Sequence, residues 1–261
     1  MHAPLPRPLR ILHVVRSPVG GIFRHIYELA EGQVARGHAV GMIVDSTTGG
    51  PRADAALAAI EPKLSLGIRR FPIAREIGPS DVVSLSRMFR RIKEVEPDVL
   101  HGHGAKGGAC VRLAPADAGT IRVYTPHGGA LHYRPGTLRG MIYGGIERLL
   151  MRRTDLLLFE SHYARDTYIR SIGEPSGLVR VVCNGVSEAE FAPIERAADA
   201  TDLVFVGELR EVKGVDILLD ALAALRKAGR RLTLTIVGDG VDGDALQGRA
   251  RLLGWTFARW A

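Results

Sequence analysis

The sequence predicts an α/β fold: a complete N-terminal Rossmann-like domain with a parallel sheet, then the first βαβ part of a second Rossmann-like domain. Three observations carry this prediction. Short apolar runs alternate with stretches of helical periodicity from residue 10 onward, the pattern of a parallel sheet with helices on its faces. Glycine-rich turns join strand to helix at Gly20-Gly21 and again at Gly207–Gly214. Residues 184–201 (NGVSEAEFAPIERAADAT) hold no sustained periodicity and contain Pro193, which marks a linker. The expected division is a first domain over 1–183, the linker, and a partial second domain over 202–261.

Each element follows from its residues. Arg10–Val15 (RILHVV) is the first strand, and Ile22, Ile26, Leu29, Ala30 and Val34 then recur at helical spacing up to the stop at Gly37. Ala39–Val44 is a second strand, closed by a loop over 45–51. Asp54–Ile60 reads as helix and Gly67–Phe71 as strand. Ser80-Asp81 suits the cap of a helix carrying Val82, Leu85, Phe89 and Ile92, which stops near Pro97. Asp98–His101 is a buried strand, followed by a turn and a short helix over Gly107–Ala114. Ile121–Thr125 is a strand, then a loop to Gly136 and a helix over Thr137–Arg153. Leu156–Glu160, a helix over Ser161–Ser171 and the strand Val179–Val182 complete the first series. The second series has strands at Leu203–Val206 and Leu232–Val237 and helices at Val215–Ala228 and Asp242–Leu253. The closing GWTFARWA continues no pattern, so the second sheet is expected to have two strands and an unprotected edge.

Composition narrows the class. The 261 residues allow one large domain or two modest ones. With 46% apolar and 24% charged residues, disorder, collagen and coiled coil are excluded. The longest apolar runs fall far short of a membrane span, and MHAPLPRPLR lacks the apolar stretch of a signal peptide. Cys110 and Cys183 stand far apart without metal-ligand spacing, so both are expected as reduced, buried thiols in a cytoplasmic protein. The net charge of +7 is mostly solvated surface.

Two segments match GxGxxG, Gly102–Gly107 and Gly238–Gly243, and nicotinamide binding is the remote alternative they raise. Neither belongs to the first βαβ unit of its domain, and the second leaves no room for the acidic ribose partner. Phosphate-loop, nucleophile-elbow and HExxH motifs are absent. His101 and His103 are expected on opposite faces of their strand, so no metal site is expected. Gly20-Gly21 let the backbone approach a ligand at a helix N-terminus, which offers unpaired N–H groups to an anion. Arg210 and Lys213 lie in the turn Gly207–Gly214 before a helix, where a cation gains nothing from the macrodipole unless an anion is present. His127, just past a strand end in YTPHGG, lies where open α/β sheets bind ligands.

Seven segments in order resemble the GT-B glycosyltransferases of family 4: RILHVVRSPVGGIFRHIYELAEGQVARGHAV, DVLHGHGAKGG, VYTPHGG, ESHYARDTYI, VVCNGV, LVFVGELREVKGVDILLDAL and LTIVGDG. The resemblance implies a retaining transferase using a nucleotide-diphosphate-sugar donor and a cell-envelope or polysaccharide acceptor, glycan or lipid-linked. It implies donor or phosphate contacts for Gly20, Gly21, Gly207, Arg210 and Lys213, with Asn184-Gly185 at the crossing into the donor domain. His127 would stand beside the transferred sugar, and His103 and Lys106 on the acceptor side. It implies no cofactor, no divalent metal and no nucleic-acid partner.

Two departures accompany it. Glu208 stands where relatives commonly carry arginine; Arg210 is expected to substitute from two residues on, and Glu208 repels phosphate unless it turns away or pairs with Arg210. The acidic ExxxxxxxE segment that holds the donor sugar and ribose does not appear before residue 261, so a C-terminally truncated transferase is expected. A non-catalytic acceptor- or membrane-binding fragment is the alternative. The helix over 137–153 carries Arg139, Arg148, Arg152 and Arg153 beside Leu138, Ile142, Ile146, Leu149 and Leu150, which suits peripheral contact with the inner membrane face.

Overall fold

The computed structural model describes residues 7–74, 78, 80–128, 137–253 and 259–260. The chain divides between Val186 and Ser187 into two compact units.

The first unit is a seven-stranded, all-parallel sheet. Its strands are β1 (Arg10–Val15), β2 (Ala39–Asp45), β3 (Gly67–Phe71), β4 (Val99–His103), β5 (Ile121–Thr125), β6 (Leu156–Phe159) and β7 (Leu178–Val181), in the order β3-β2-β1-β4-β5-β6-β7. The helices are α1 (Gly20–Ala35), α2 (Gly50–Ile60), α3 (Ser80–Val95), α4 (Gly104–Leu113), α5 (Leu138–Met151) and α6 (His162–Ser171). Ile11–Val15 of β1 and Val40–Asp45 of β2 are continuously buried, as expected of strands covered on both faces. On one face Leu12, Val14 and Leu100 pack with Met88 and Ile92 of α3 and Val111 of α4. On the other, Val15, Val40, Met42 and Val44 pack with Phe23, Ile26 and Ala30 of α1 and Leu57 and Ile60 of α2. The strand order reverses between β1 and β4, which makes their carboxyl ends the topological switch point.

The second unit carries β8 (Leu203–Val206), α7 (Val215–Lys227), β9 (Leu234–Val237), α8 (Gly243–Leu252) and β10 (Arg259–Trp260). Leu209, Val215, Leu219, Ile236, Leu246 and Ala250 form its core. The expected two-stranded sheet is corrected here: Arg259–Trp260 pair in parallel with Ile236-Val237, giving the order β10-β9-β8. Two residues are too few to print a period, so this part of GWTFARWA was illegible; residues 254–258 lie outside the described residues.

Other expectations change in informative ways. The strand expected to stop at His101 runs on to His103, and α4 starts at Gly104 rather than at Gly107. Because β4 pairs with β1 and β5 on both sides as far as His103, Gly102 is a strand residue and not a turn. Gly107 then faces the backbone of Val14 so closely that a Cβ there would strike the carbonyl oxygen. Gly238 likewise abuts the backbone of Gly207. Each GxGxxG match therefore holds glycines that close packing requires, Gly102 and Gly107 in the first and Gly238 and Gly240 in the second. Cys110 is buried as expected, but Cys183 is exposed, because it follows β7, the last strand of its sheet. Pro51 starts α2 earlier than expected, where its missing N–H costs nothing.

Candidate functional site

Five of the chain's nine histidines converge at the switch point. The register places His13 of β1 directly beside His101 of β4, and Val15 beside His103. His101 and His103 share a face, which corrects the expectation that they oppose one another: strand side chains repeat every second residue, so positions i and i+2 point the same way. Their rings stand 3.9 Å apart, centre to centre. His25 of α1 and His127, just past β5, complete the group, with ring centres 5.5 Å apart.

A hydrogen-bonded row runs through this cluster. His13 Nε2 meets Gln33 Oε1 at 2.8 Å, and His13 Nδ1 meets His103 Nε2 at 3.0 Å. His103 Nδ1 lies 3.2 Å from His127 Nε2, and His127 Nδ1 lies 2.6 Å from Glu160 Oε1. His101 Nε2 is held by Thr125 Oγ1 at 2.9 Å. His127 adopts a left-handed backbone, φ 48°, uncommon for a residue with a side chain and costly enough to need compensating contacts. That turn brings its ring inward, with only 4% of the side chain exposed, against Glu160 at the end of β6.

Burial sets the electrostatics. It pushes His13 down to about 4, against the opposing hydrogen bond to Gln33. Burial, then the charges of the neighbouring histidines, holds His101 and His103 well below the usual imidazole range. Burial and the charge of His127 lower His25 as well. For Glu160, burial works upward, but the hydrogen bond from His127 and its charge outweigh it and keep the carboxyl below its ordinary value. A half-buried carboxylate thus holds His127 at one end of a row whose fully buried members, His13 and His103, favour the neutral form.

The remaining expected residues fall on the adjoining loops. Gly20 (φ 64°) and Gly21 begin α1, with open space where their side chains would be. His25 lies one turn further on, so a helix N-terminus and the histidine cluster share the carboxyl edge. His103 is 1% exposed and is hydrogen-bonded to His127, while Lys106 is half-buried in the first turn of α4. Asn184 and Gly185 are exposed beyond β7. In the second unit Gly207 follows β8, and Arg210 Nη1 reaches Glu208 Oε2 at 3.6 Å, so of the two alternatives Glu208 takes the pairing. Lys213 is exposed in a short 3-10 turn before α7. The structure brings His103, His127 and the Gly20-Gly21 turn into one region of the first unit, and Gly207, Arg210 and Lys213 into one loop of the second.

The sequence matches the profile of Glycosyltransferase Family 4 over residues 19–190 and that of Glycosyl transferases group 1 over residues 186–256. The chain belongs to glycosyltransferase family 4. Its fold is that of the GT-B glycosyltransferases: HepE from Anabaena, solved with UDP and glucose, superposes with a TM-score of 0.71 at 17% identity, over 97% of this chain and 70% of HepE. Among curated proteins, EpsD of Bacillus subtilis is 28% identical over 215 residues, covering 75% of this chain and 54% of EpsD. Glycogen synthase of Mycobacterium tuberculosis is 25% identical over 261 residues, covering 89% of this chain and 61% of that enzyme. The chain thus spans somewhat more than half the length of these family relatives.

Sequence reasoning missed His13, His25, His101, Gln33 and Glu160. The two-residue repeat of β4 was available as a signal for His101 and His103. His13 and Glu160 were not: each sits on another strand, and strand order is what makes them neighbours.

Proposed function

We propose that the protein containing this chain is a retaining glycosyltransferase that moves a sugar from a nucleotide-diphosphate-sugar donor to a cell-envelope or polysaccharide acceptor, working in the cytoplasm. The observation that carries this reading is His127, fixed by Glu160 at the switch-point edge of a family 4 domain. In this reading His127 stands beside the transferred sugar and Glu160 positions it through Nδ1. Gly20 and Gly21 lead the N–H groups of α1 toward the diphosphate or the acceptor, since a helix N-terminus favours negative charge. Gly207, Arg210 and Lys213 form the loop that receives the leaving diphosphate, where fixed cations offset the developing charge. Asn184-Gly185 mark the passage between the first domain (1–183) and the donor domain. Lys106, with His103 behind His127, faces the acceptor. No cofactor enters this chemistry.

The test is sugar transfer from a panel of radiolabelled UDP- and GDP-sugars to a lipid extract, with calorimetry of UDP alone. Transfer from one donor is expected, reduced about 100-fold or more in His127→Ala. Glu160→Gln is expected to lower kcat more than it raises KM. Absence of both UDP binding and transfer overturns the reading.

A second reading, a membrane-docking surface, is favoured by α5. Leu138, Met141, Ile142 and Leu149 are exposed along one side of this helix, followed by exposed Arg152 and Arg153. Arg148 contributes less than its sequence position implied, because its guanidinium donates to the carbonyls of Ile172 and Ser171. The side chain of Arg139 lies outside those described. Co-sedimentation with vesicles should rise with anionic lipid content and fall with salt; indifference to both refutes this reading. No described helix is long and apolar enough to cross a membrane.

A further inference from the structure

Asn184 is the only asparagine in the 261 residues, and glycine follows it. Such a pair can react with itself. The backbone nitrogen of the second residue attacks the side-chain amide carbon of the first and closes a five-membered ring. Glycine hinders that approach least, because it has no Cβ and the widest choice of backbone angles. In a folded chain the reaction is governed by how freely the two groups can meet, and a hydrogen-bonded ladder holds them apart until it opens.

Both groups are free here. Residues 182–187 form no helix or strand, and Asn184 and Gly185 are exposed. The last bond to the sheet beyond β7 runs from Val182 N–H to the Phe159 carbonyl at 2.8 Å. The next bonded N–H along the chain is that of Ser187, which donates to Glu190 Oε2 at 2.8 Å. Among the described residues, no hydrogen bond holds the Asn184 side chain or the Gly185 N–H between those two points. A methyl group placed on Gly185 meets nothing, so no neighbouring atom confines the pair.

The chain's other side-chain amides lack this freedom. Gln33 and Gln247 lie inside α1 and α8, where the N–H that follows each is committed to a carbonyl one turn back. The pairs Asp239-Gly240 and Asp242-Gly243 carry no amide to lose, and the Gly243 N–H donates to the Gly240 carbonyl at 3.0 Å.

We propose that Asn184 is a site of spontaneous deamidation, converted through a ring with Gly185 into aspartate and isoaspartate. Gly185 N bonds to Asn184 Cγ, and its proton leaves with the side-chain nitrogen as ammonia. Water then cleaves the ring at the new C–N bond, giving aspartate, or at the original peptide C–N bond, giving isoaspartate. Either product carries a carboxylate where the amide stood and lowers the formal net charge of +7 by one. The iso form also routes the backbone through the former side chain and so lengthens it, two residues before the last residue of the first unit, Val186. The segment that leaves the first unit therefore changes charge and length as the molecule ages. None of this depends on the reaction the protein performs.

The experiment ages the full chain in mildly alkaline buffer beside a synthetic peptide of residues 180–188. Samples are digested at mildly acidic pH, and the Asn184 peptides are followed by liquid chromatography and mass spectrometry. The expected result is that both products appear in the folded chain, at a rate within about tenfold of the free peptide and rising with pH. Slower reaction than that overturns the proposal, since tenfold protection corresponds to about 1.4 kcal/mol of ordering at the pair. Ion-exchange chromatography should show one more acidic form accumulating in step with the modified peptides. Gly185→Ala should slow the reaction about tenfold or more, because the added methyl group hinders the attacking nitrogen. That variant should fold, since its methyl meets no atom and the backbone at Gly185 is not left-handed; far-UV circular dichroism checks this. Folded Gly185→Ala that reacts as fast as the wild type overturns the mechanism.

Discussion

Replacing Glu147 with Leu should be among the most damaging single changes available in the first unit. Arg112 of α4 is fully buried, and its guanidinium donates to both Glu147 carboxylate oxygens, at 2.6 and 3.0 Å. Its Nε donates to the Gly108 carbonyl at 2.9 Å, and its plane lies 3.9 Å from the Tyr124 ring centre. The Tyr168 hydroxyl donates to the same carboxylate at 2.9 Å, so α4, α5, α6 and β5 meet at one ion pair. Removing the carboxylate strands a charge with no water to receive it, a loss of about 3–5 kcal/mol. The unit ends at Val186, and about 2.1 cal/mol/K per residue gives an unfolding entropy of about 0.4 kcal/mol/K. The expected fall in Tm is therefore about 8–13 °C. The double variant Arg112→Met/Glu147→Leu removes both charges and leaves mainly the Tyr168 hydroxyl unsatisfied, a loss of about 1–2 kcal/mol. Urea and thermal unfolding of wild type, both single variants and the double variant measure the coupling. A double variant no more stable than Glu147→Leu would refute the argument, as would a single variant losing less than 1 kcal/mol.

Three further outcomes follow from the packing. Gly107→Ala should destabilise by about 1–3 kcal/mol because its Cβ meets the Val14 backbone, whereas Gly21→Ala, which meets nothing, should stay within about 0.5 kcal/mol; equal effects in urea unfolding would contradict this. Burial works to raise the Asp45 carboxyl, but hydrogen bonds from Ile73 N–H, Thr48 and Thr47 outweigh it and hold it below the ordinary value. Its folded pKa lies below the unfolded one, so its contribution is complete above about pH 4 and is lost as pH falls through the folded value. Asp45→Asn should flatten the fall of the urea midpoint on acidification, and an unaltered slope would count against it. Native protein should react with a maleimide at Cys183 alone, and Cys110 should label only after unfolding; mass spectrometry of the peptides decides.

The elements were legible in the sequence because they are local. RILHVV carries its own apolar run, and the Ser161 hydroxyl caps α6 by accepting from the Ala164 N–H three residues on. The order of motifs likewise sufficed for family 4 and its fold. The failures share one cause, which is that they concern neighbours from different strands. Gly102 looks like a turn until β1 and β5 are seen to pair on either side of it. Arg112 and Glu147 look like surface charges, because 35 residues separate them in the chain.

The sequence by itself determined the alternation of strands and helices, the parallel sheet and the family. Those are properties of spacing, and spacing is written along one chain. Only the tertiary structure decided the site. Strand order puts β1 beside β4, and that alone brings His13 to His101 and His103. The left-handed backbone at His127 turns its ring toward Glu160. Five histidines scattered between residues 13 and 127 became one cluster through those two facts. The hydrogen-bonded row and the lowered imidazole basicities depend on that convergence, because hydrogen bonding and desolvation act over distances in space and not along the sequence.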